Sequence, residues 1–183
     1  SQFGAAVAAG DFDQDGRADL LIGAPQYSGE EERGGGVFLY WSAETSMSGT
    51  AVWSASSGQT GSLYGTAVAV GDVNGDALPD LIIGAPQYTH DQSLEGRIFV
   101  YQGKPGEINP FANWTADGDK AETDFGRSVA LAGDVNQDGF GDLAVGAPQY
   151  RSSHDLVGRA YVYWGAEKIS ADTLVFLPFV GRE

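Results

Sequence analysis

The sequence predicts an all-β fold, a β-propeller of three four-stranded blades, on three observations. A unit of about 61 residues occurs three times, each copy is a series of short strand-like runs, and side-chain size grows along each copy. The pentapeptide Gly-Ala-Pro-Gln-Tyr begins at Gly23, Gly84 and Gly146, and an aromatic–glycine pair precedes each one, at Phe3-Gly4, Tyr64-Gly65 and Phe125-Gly126. A fixed period of this length marks a repeat architecture. The copies run over about 1–60, 61–121 and 122–183, and the third carries one extra residue near Leu131-Ala132.

Copy one reads GAAVAAG, an aspartate-rich turn, DLLIGAP, VFLYW and TAVWSA. Copy two reads GTAVAVG, DLIIGAP, RIFVYQ and a run around Trp114, and copy three reads RSVALAG, DLAVGAP, RAYVYW and DTLVFLPF. Short β-branched and aromatic runs bounded by Gly, Pro, Asn and Asp are strand signals, and no longer helical period competes with them. The first run of each copy is built from Ala, Gly and Val, and the later runs carry Phe, Tyr and Trp. Small side chains suit strands crowded around an axis; large ones fill the gap that widens between blades. Trp53 and Trp114 each stand 11 residues before the next aromatic–glycine pair, with Phe176 in the matching place of copy three, and are expected to pack between blades.

Between its first two strands each copy carries a nine-residue loop with oxygen-bearing side chains at positions 1, 3, 5 and 9. Hard cations such as Ca²⁺ take six to eight oxygen ligands, and alternate residues of a tight loop can point several inward together. The expected ligands are Asp11, Asp13, Asp15 and Asp19 in copy one, Asp72, Asn74, Asp76 and Asp80 in copy two, and Asp134, Asn136, Asp138 and Asp142 in copy three. Position 7 adds a backbone carbonyl, from Arg17, Leu78 and Phe140, giving three Ca²⁺ sites. An EF-hand needs a bidentate Glu at position 12 and flanking helices; here that position is Ile22, Ile83 and Val145, inside strands. Turn propensity accounts for one or two carboxylates, not for the same ligand spacing in three loops. Position 6 is Gly16 and Gly139 but Ala77 in copy two, so a left-handed backbone there costs copy two on the order of 1 kcal/mol.

The chain holds 25 acidic and 10 basic residues, a formal charge of −15, and the three loops contain ten of those carboxylates. Such a surface repels nucleic-acid phosphates and anionic lipid and favours a cation partner. With no cysteine there is no disulfide, thiol nucleophile or thiolate metal site. No apolar run approaches the ~18 residues that span a bilayer.

The aromatic–glycine pairs, the Asp-rich loops and the Gly-Ala-Pro triplets together resemble the FG-GAP repeats of the integrin α-subunit propeller, in register over the whole chain, with Tyr64 for the usual Phe and Ala77 for Gly. The resemblance implies a Ca²⁺-binding propeller, usually seven-bladed, on cell-surface or secreted proteins, with calcium on the face opposite the ligand surface. Propellers close with roughly four to eight blades, so three blades are expected to be completed by further blades of a longer chain or by a head-to-tail homodimer.

Catalysis is not expected, because the sequence has no nucleophile elbow, no Cys nucleophile and no P-loop lysine. His90-Asp91 and His154-Asp155 read as solvated loop residues. The expected role is an extracellular recognition or adhesion module, non-catalytic, that binds a protein or glycan through its 2–3 and 4–1 loops. The segments 28–35, 89–96 and 151–158 vary most between copies, as recognition loops on a rigid scaffold do. The alternative is a propeller scaffold of a larger secreted enzyme such as a phospholipase-D-like hydrolase. Trp41 and Trp164 are candidates for sugar stacking, and Asn113-Trp114-Thr115 is a glycosylation sequon.

Overall fold

A computed structural model describes residues 1–153 and 155–167, and the backbone of 174–177. Three antiparallel four-stranded sheets follow one another along the chain, and the described residues contain no helix. The first sheet is β1 (Ala6–Gly10), β2 (Asp19–Ala24), β3 (Gly36–Tyr40) and β4 (Trp53–Ala55), in that order. The second joins β5 (Ala67–Gly71), β6 (Asp80–Ala85) and β7 (Arg97–Tyr101) to β10 (Trp114–Asp117), with the short hairpin of β8 (Gly103–Lys104) and β9 (Glu107–Ile108) between them. The third is β11 (Ser128–Gly133), β12 (Asp142–Ala147), β15 (Arg159–Tyr163) and β16 (Leu174–Leu177), and a second hairpin, β13 (Arg151–Ser152) with β14 (Asp155–Leu156), precedes β15. This is a partial β-propeller.

The innermost strands β1, β5 and β11 lie side by side, and their small residues let them do so. A Cβ added to Gly10 would stand 2.6 Å from Val70 Cγ1, and one added to Gly71 would run into Leu131. The first two inner strands, β1 and β5, thus end in a space already filled by their neighbour's side chain. The register of β1 on β2 and of β5 on β6 is unbroken, whereas β11 on β12 shifts between Leu131 and Gly133. The extra residue of copy three is therefore a bulge at Ala132.

Alternation along the second strands divides the core in two. Leu81 and Ile83 face a cluster with Phe12, Leu21, Val37 and Leu39 of the first sheet. Ile82 faces the other way, into a cluster with Leu143, Val145 and Tyr161 of the third. Trp53 meets Tyr101 edge-on at 5.1 Å and Trp114 meets Tyr163 at 5.0 Å, so both tryptophans pack between sheets as expected. The side chain of Phe176 lies outside the described residues.

The aromatic–glycine pair and the Gly-Ala-Pro triplet interlock adjacent sheets. Within a sheet, the amides of Gly4, Gly65 and Gly126 donate to the carbonyls of Gly23, Gly84 and Gly146, each about 3 Å away. Across sheets, the carbonyl of Gly65 sits where a Cβ of Gly23 would be, and that of Gly126 where a Cβ of Gly84 would be. Only glycine admits a neighbouring backbone that close. Tyr64 and Phe125 are buried beside these joints. Phe3, whose face no described sheet covers, is 52% exposed and lies 5.8 Å from the ring of Phe38.

Candidate metal centres

The three aspartate-rich loops connect β1 to β2, β5 to β6 and β11 to β12, so all open at the same end of the sheets. Each is folded by a ladder of side-chain-to-backbone hydrogen bonds. Position 1 accepts the amides of positions 5 and 6: Asp11 takes Asp15 and Gly16, Asp72 takes Asp76 and Ala77, and Asp134 takes Asp138 and Gly139. Position 3 accepts the amide of position 5, through Asp13, Asn74 and Asn136, and position 5 accepts that of position 7. Asx turns repeated every second residue gather positions 1, 3 and 5 on the inside of the loop. In copy one, oxygens of Asp11, Asp13 and Asp15 lie within 4.8 Å of one another.

The second oxygen of position 5 has a nitrogen donor in every copy. Arg17 Nη1 reaches Asp15 at 2.7 Å, Asn74 Nδ2 reaches Asp76 at 2.9 Å, and Asn136 Nδ2 reaches Asp138 at 2.7 Å. Each loop therefore converges three oxygen-bearing side chains, two or three of them carboxylates, at a point where a single positive group already sits or a polarised amide substitutes for one. That donor set fits a hard divalent cation, which would take the place of those nitrogens. Position 7 faces the loop with its amide; the carbonyls of Arg17, Leu78 and Phe140 are the ligands expected from the sequence.

Position 9 has a second task that its spacing alone does not reveal. Asp19, Asp80 and Asp142 are buried, and both oxygens of each accept backbone amides. One takes the amide of position 2, from Phe12, Val73 and Val135, and the other takes an amide just beyond the third strand, from Ser42, Gly103 and Gly165. These carboxylates tie the loop to the exit of strands β3, β7 and β15, and each oxygen keeps a lone pair besides. Burial pushes the Asp80 carboxyl up to about 6, aided by the charges of Asp76 and Asp72 and opposed by its two amide bonds.

Ala77 does adopt the left-handed backbone foreseen for position 6, at φ 64°, beside Gly16 at 87° and Gly139 at 95°. Position 4 is left-handed as well, at Gln14, Gly75 and Gln137. Every loop thus has one glycine and one other residue at these two positions, and copy two only exchanges them. The reason for Gly75 is tertiary: a Cβ there would lie 2.8 Å from the ring of Phe140 in the next loop.

The opposite end of the sheets holds a cluster that sequence reasoning did not assemble. Glu95 is buried and accepts the amides of His90, Asp91 and Gln92, while His90 Nδ1 stands 3.2 Å from Asp117 Oδ2. His90, Glu95 and Asp117 lie within 4.8 Å of one another. The Arg97 guanidinium, however, grips both oxygens of Asp117 and already supplies the positive charge there. The cue in the sequence was Glu95, in the place that Gly34 and Val157 hold in the other copies. His154 lies outside the described residues. Trp41 is half-buried against the first core cluster, and Trp164 is half-buried.

Comparison with known proteins agrees with this architecture. The sequence model of the FG-GAP repeat matches residues 3–40, 64–101 and 125–163. Integrin alpha-4 of Xenopus laevis is 36% identical over 169 residues, covering 92% of this chain and 15% of the relative. Integrin alpha-PS2 of Drosophila melanogaster is 37% identical over 176 residues, covering 91% and 12%. Integrin alpha-6 of Gallus gallus is 35% identical over 150 residues, covering 80% and 13%. The chain therefore spans about one-seventh of the length of such relatives.

Proposed function

This chain belongs to the FG-GAP repeat family, and from that premise we propose that it is a calcium-binding, non-catalytic recognition module of an extracellular adhesion protein. The observation that carries the reading is the ladder of Asx turns, repeated in all three loops, that gathers positions 1, 3 and 5 at one end of the sheets. The ligands are Asp11, Asp13, Asp15 and Asp19; Asp72, Asn74, Asp76 and Asp80; and Asp134, Asn136, Asp138 and Asp142, with the carbonyls of Arg17, Leu78 and Phe140. Calcium is structural here. It neutralises loop carboxylates that otherwise repel one another and holds rigid the end of the sheets opposite the 2–3 and 4–1 loops, which are left to contact a protein ligand.

Each site stabilises the fold by about 2.7 kcal/mol when free calcium is 100 times its dissociation constant. Thermal melts in millimolar calcium and in excess EDTA test this: a fall of ten degrees or more on chelation is expected, and coincident melts refute it. Calorimetric titration should return three sites per chain.

The bare face of the first sheet has its own reading. Phe3 and Val7 are 52% and 61% exposed, while Tyr64 and Phe125, the counterparts of Phe3, are wholly buried by the sheet before them. A further sheet of the same kind covers this face, from the same longer chain or from a second copy joined head to tail. Light scattering on the isolated 183 residues separates the two, since a dimer requires the second source.

A further inference from the structure

The turn that leads into β10, the outer strand of the second sheet, breaks the repeat at two positions. Phe111 and Asn113 stand where copy one has Thr50 and Val52 and copy three has Thr173 and Val175. Copy two alone makes both changes, and it carries the one Asn-Xaa-Ser/Thr triplet of the chain, Asn113-Trp114-Thr115. Such a triplet is the acceptor for N-linked sugar where it lies on the surface of a secreted protein. Phe111, two residues before the asparagine, is 79% exposed, the most open large apolar side chain among the described residues. The threonines of the other copies show that the strand needs no ring there to fold.

Hydrogen bonds fix this turn. Asn109 donates its amide to the carbonyl of Gln102 at 3.2 Å, and Asn113 donates its amide to that of Val100 at 2.8 Å. Gln102 in turn donates its amide to Asn113 Oδ1 at 2.8 Å, and Pro110 stiffens the segment between. The asparagine is exposed, its oxygen is taken by the sheet, and no bond to Nδ2 is found among the described residues. Nδ2 is the atom that would carry the sugar. Trp114, in the middle of the triplet, is already committed to the joint with Tyr163. The start of β10 pairs with Val100, and the nearby Gly103 donates to Asp80, so Asn113 lies on the outer rim at the end that holds the aspartate loops. A bulky group there leaves the 2–3 and 4–1 loops open.

We propose that Asn113 is a site of N-linked glycosylation and that its first sugar, an N-acetylhexosamine, lies on the ring of Phe111. The proposal rests on the extracellular placement in the reading above. In the transfer the Nδ2–C1 bond forms and the bond from C1 to the diphosphate of a lipid-linked oligosaccharide breaks. The lipid diphosphate is the leaving group, and the amide proton passes to a base of the transferase. One face of a pyranose is a patch of C–H groups, and the negative face of an aromatic ring attracts them while both surfaces leave water. Two residues of extended chain span roughly 7 Å, within reach of the first sugar.

The test produces the chain behind a secretion leader in a eukaryotic cell line and, in parallel, in bacteria that add no glycan. Peptide-N-glycosidase in ¹⁸O-water turns a glycosylated asparagine into labelled aspartate, read by peptide mass. Most of the secreted chain should be labelled at Asn113, and Thr115→Ala should abolish the label. Trimmed to a single N-acetylglucosamine, the secreted chain should melt about 3 °C or more above the bacterial one at the same calcium concentration. Phe111→Ala, made in both hosts, should remove that gain. A secreted chain without label at Asn113 overturns the proposal, as do coincident melts of the two forms or a gain that survives Phe111→Ala. No ligand enters these measurements, so a chain that is glycosylated yet binds no protein refutes the recognition reading alone.

Discussion

Between the first and second sheets Tyr64 is fully buried and donates its hydroxyl to Tyr101, 2.9 Å away; between the second and third, Phe125 occupies the same place without a polar atom. The polar contact of the second joint has moved outward. There Tyr161 donates to Asp119 at 2.7 Å, Arg159 reaches the other oxygen of Asp119 at 2.8 Å, and the guanidinium lies 3.6 Å from the centre of the Tyr150 ring. Asp119 stands where the first copy has Gly58, so the first joint has no such clamp. The glycine interlock beneath is the same in both. One backbone joint thus tolerates two side-chain solutions, provided that each buried hydroxyl finds a partner. Burial raises the Tyr64 hydroxyl first of all, with Tyr101 adding to it, and burial followed by Asp119 raises that of Tyr161. Both phenols therefore stay neutral.

Substitutions at the joint itself should be the most damaging, and equally so in both interfaces. Gly23→Ala and Gly84→Ala drive a methyl into the neighbouring sheet's backbone, and a loss above ~4 kcal/mol is expected for each in chemical denaturation. Gly146→Ala meets only the Ser128 side chain, which can rotate away, and should lose less than half as much. Equal losses at all three positions would break the interlock. Phe125→Ala empties a closed interface and should cost about 3–5 kcal/mol, whereas Phe3→Ala, at the bare face, should stay under ~1 kcal/mol as long as that face is uncovered. Comparing the two by thermal melts also reports whether a second copy covers Phe3.

The polar differences are smaller and separate the two joints. Tyr64→Phe strands the buried Tyr101 hydroxyl and should cost ~1–2 kcal/mol, and Tyr101→Phe made together with it should recover most of that loss. Asp119→Ala removes contacts that are partly open to water, so about 1 kcal/mol is expected, with no change in the first joint. A double-mutant cycle of Asp119→Ala with Tyr64→Phe should show additivity, because the two sites share no partner.

Much of the fold was legible because the repeat is spelled three times. The strand runs, the aspartate spacing and even the extra residue of copy three, which became the bulge at Ala132, follow from aligning the copies. What the spacing left out was a second task of Asp19, Asp80 and Asp142. They looked like one more ligand each, and they are also buried clasps on the backbone of a distant strand. Ala77 looked like an isolated defect, until Gly75 two residues earlier proved to be its counterpart, required by the ring of Phe140. Trp41 and Trp164, weighed as packing residues against sugar platforms, are half-buried.

The dividing line is sequence distance. The sequence by itself determined the Asx-turn ladders, whose hydrogen bonds close within two to five residues, because there the spacing of residue types is the geometry. The tertiary structure decided the contacts that bridge 23 residues or more: Asp19 to Ser42, Tyr64 to Tyr101, and Asp119 to Tyr161. No local pattern records which neighbouring sheet's atoms will fill a space, or whether any sheet will cover it, and that filling decides whether an aromatic is core or surface and whether a charge is held or free.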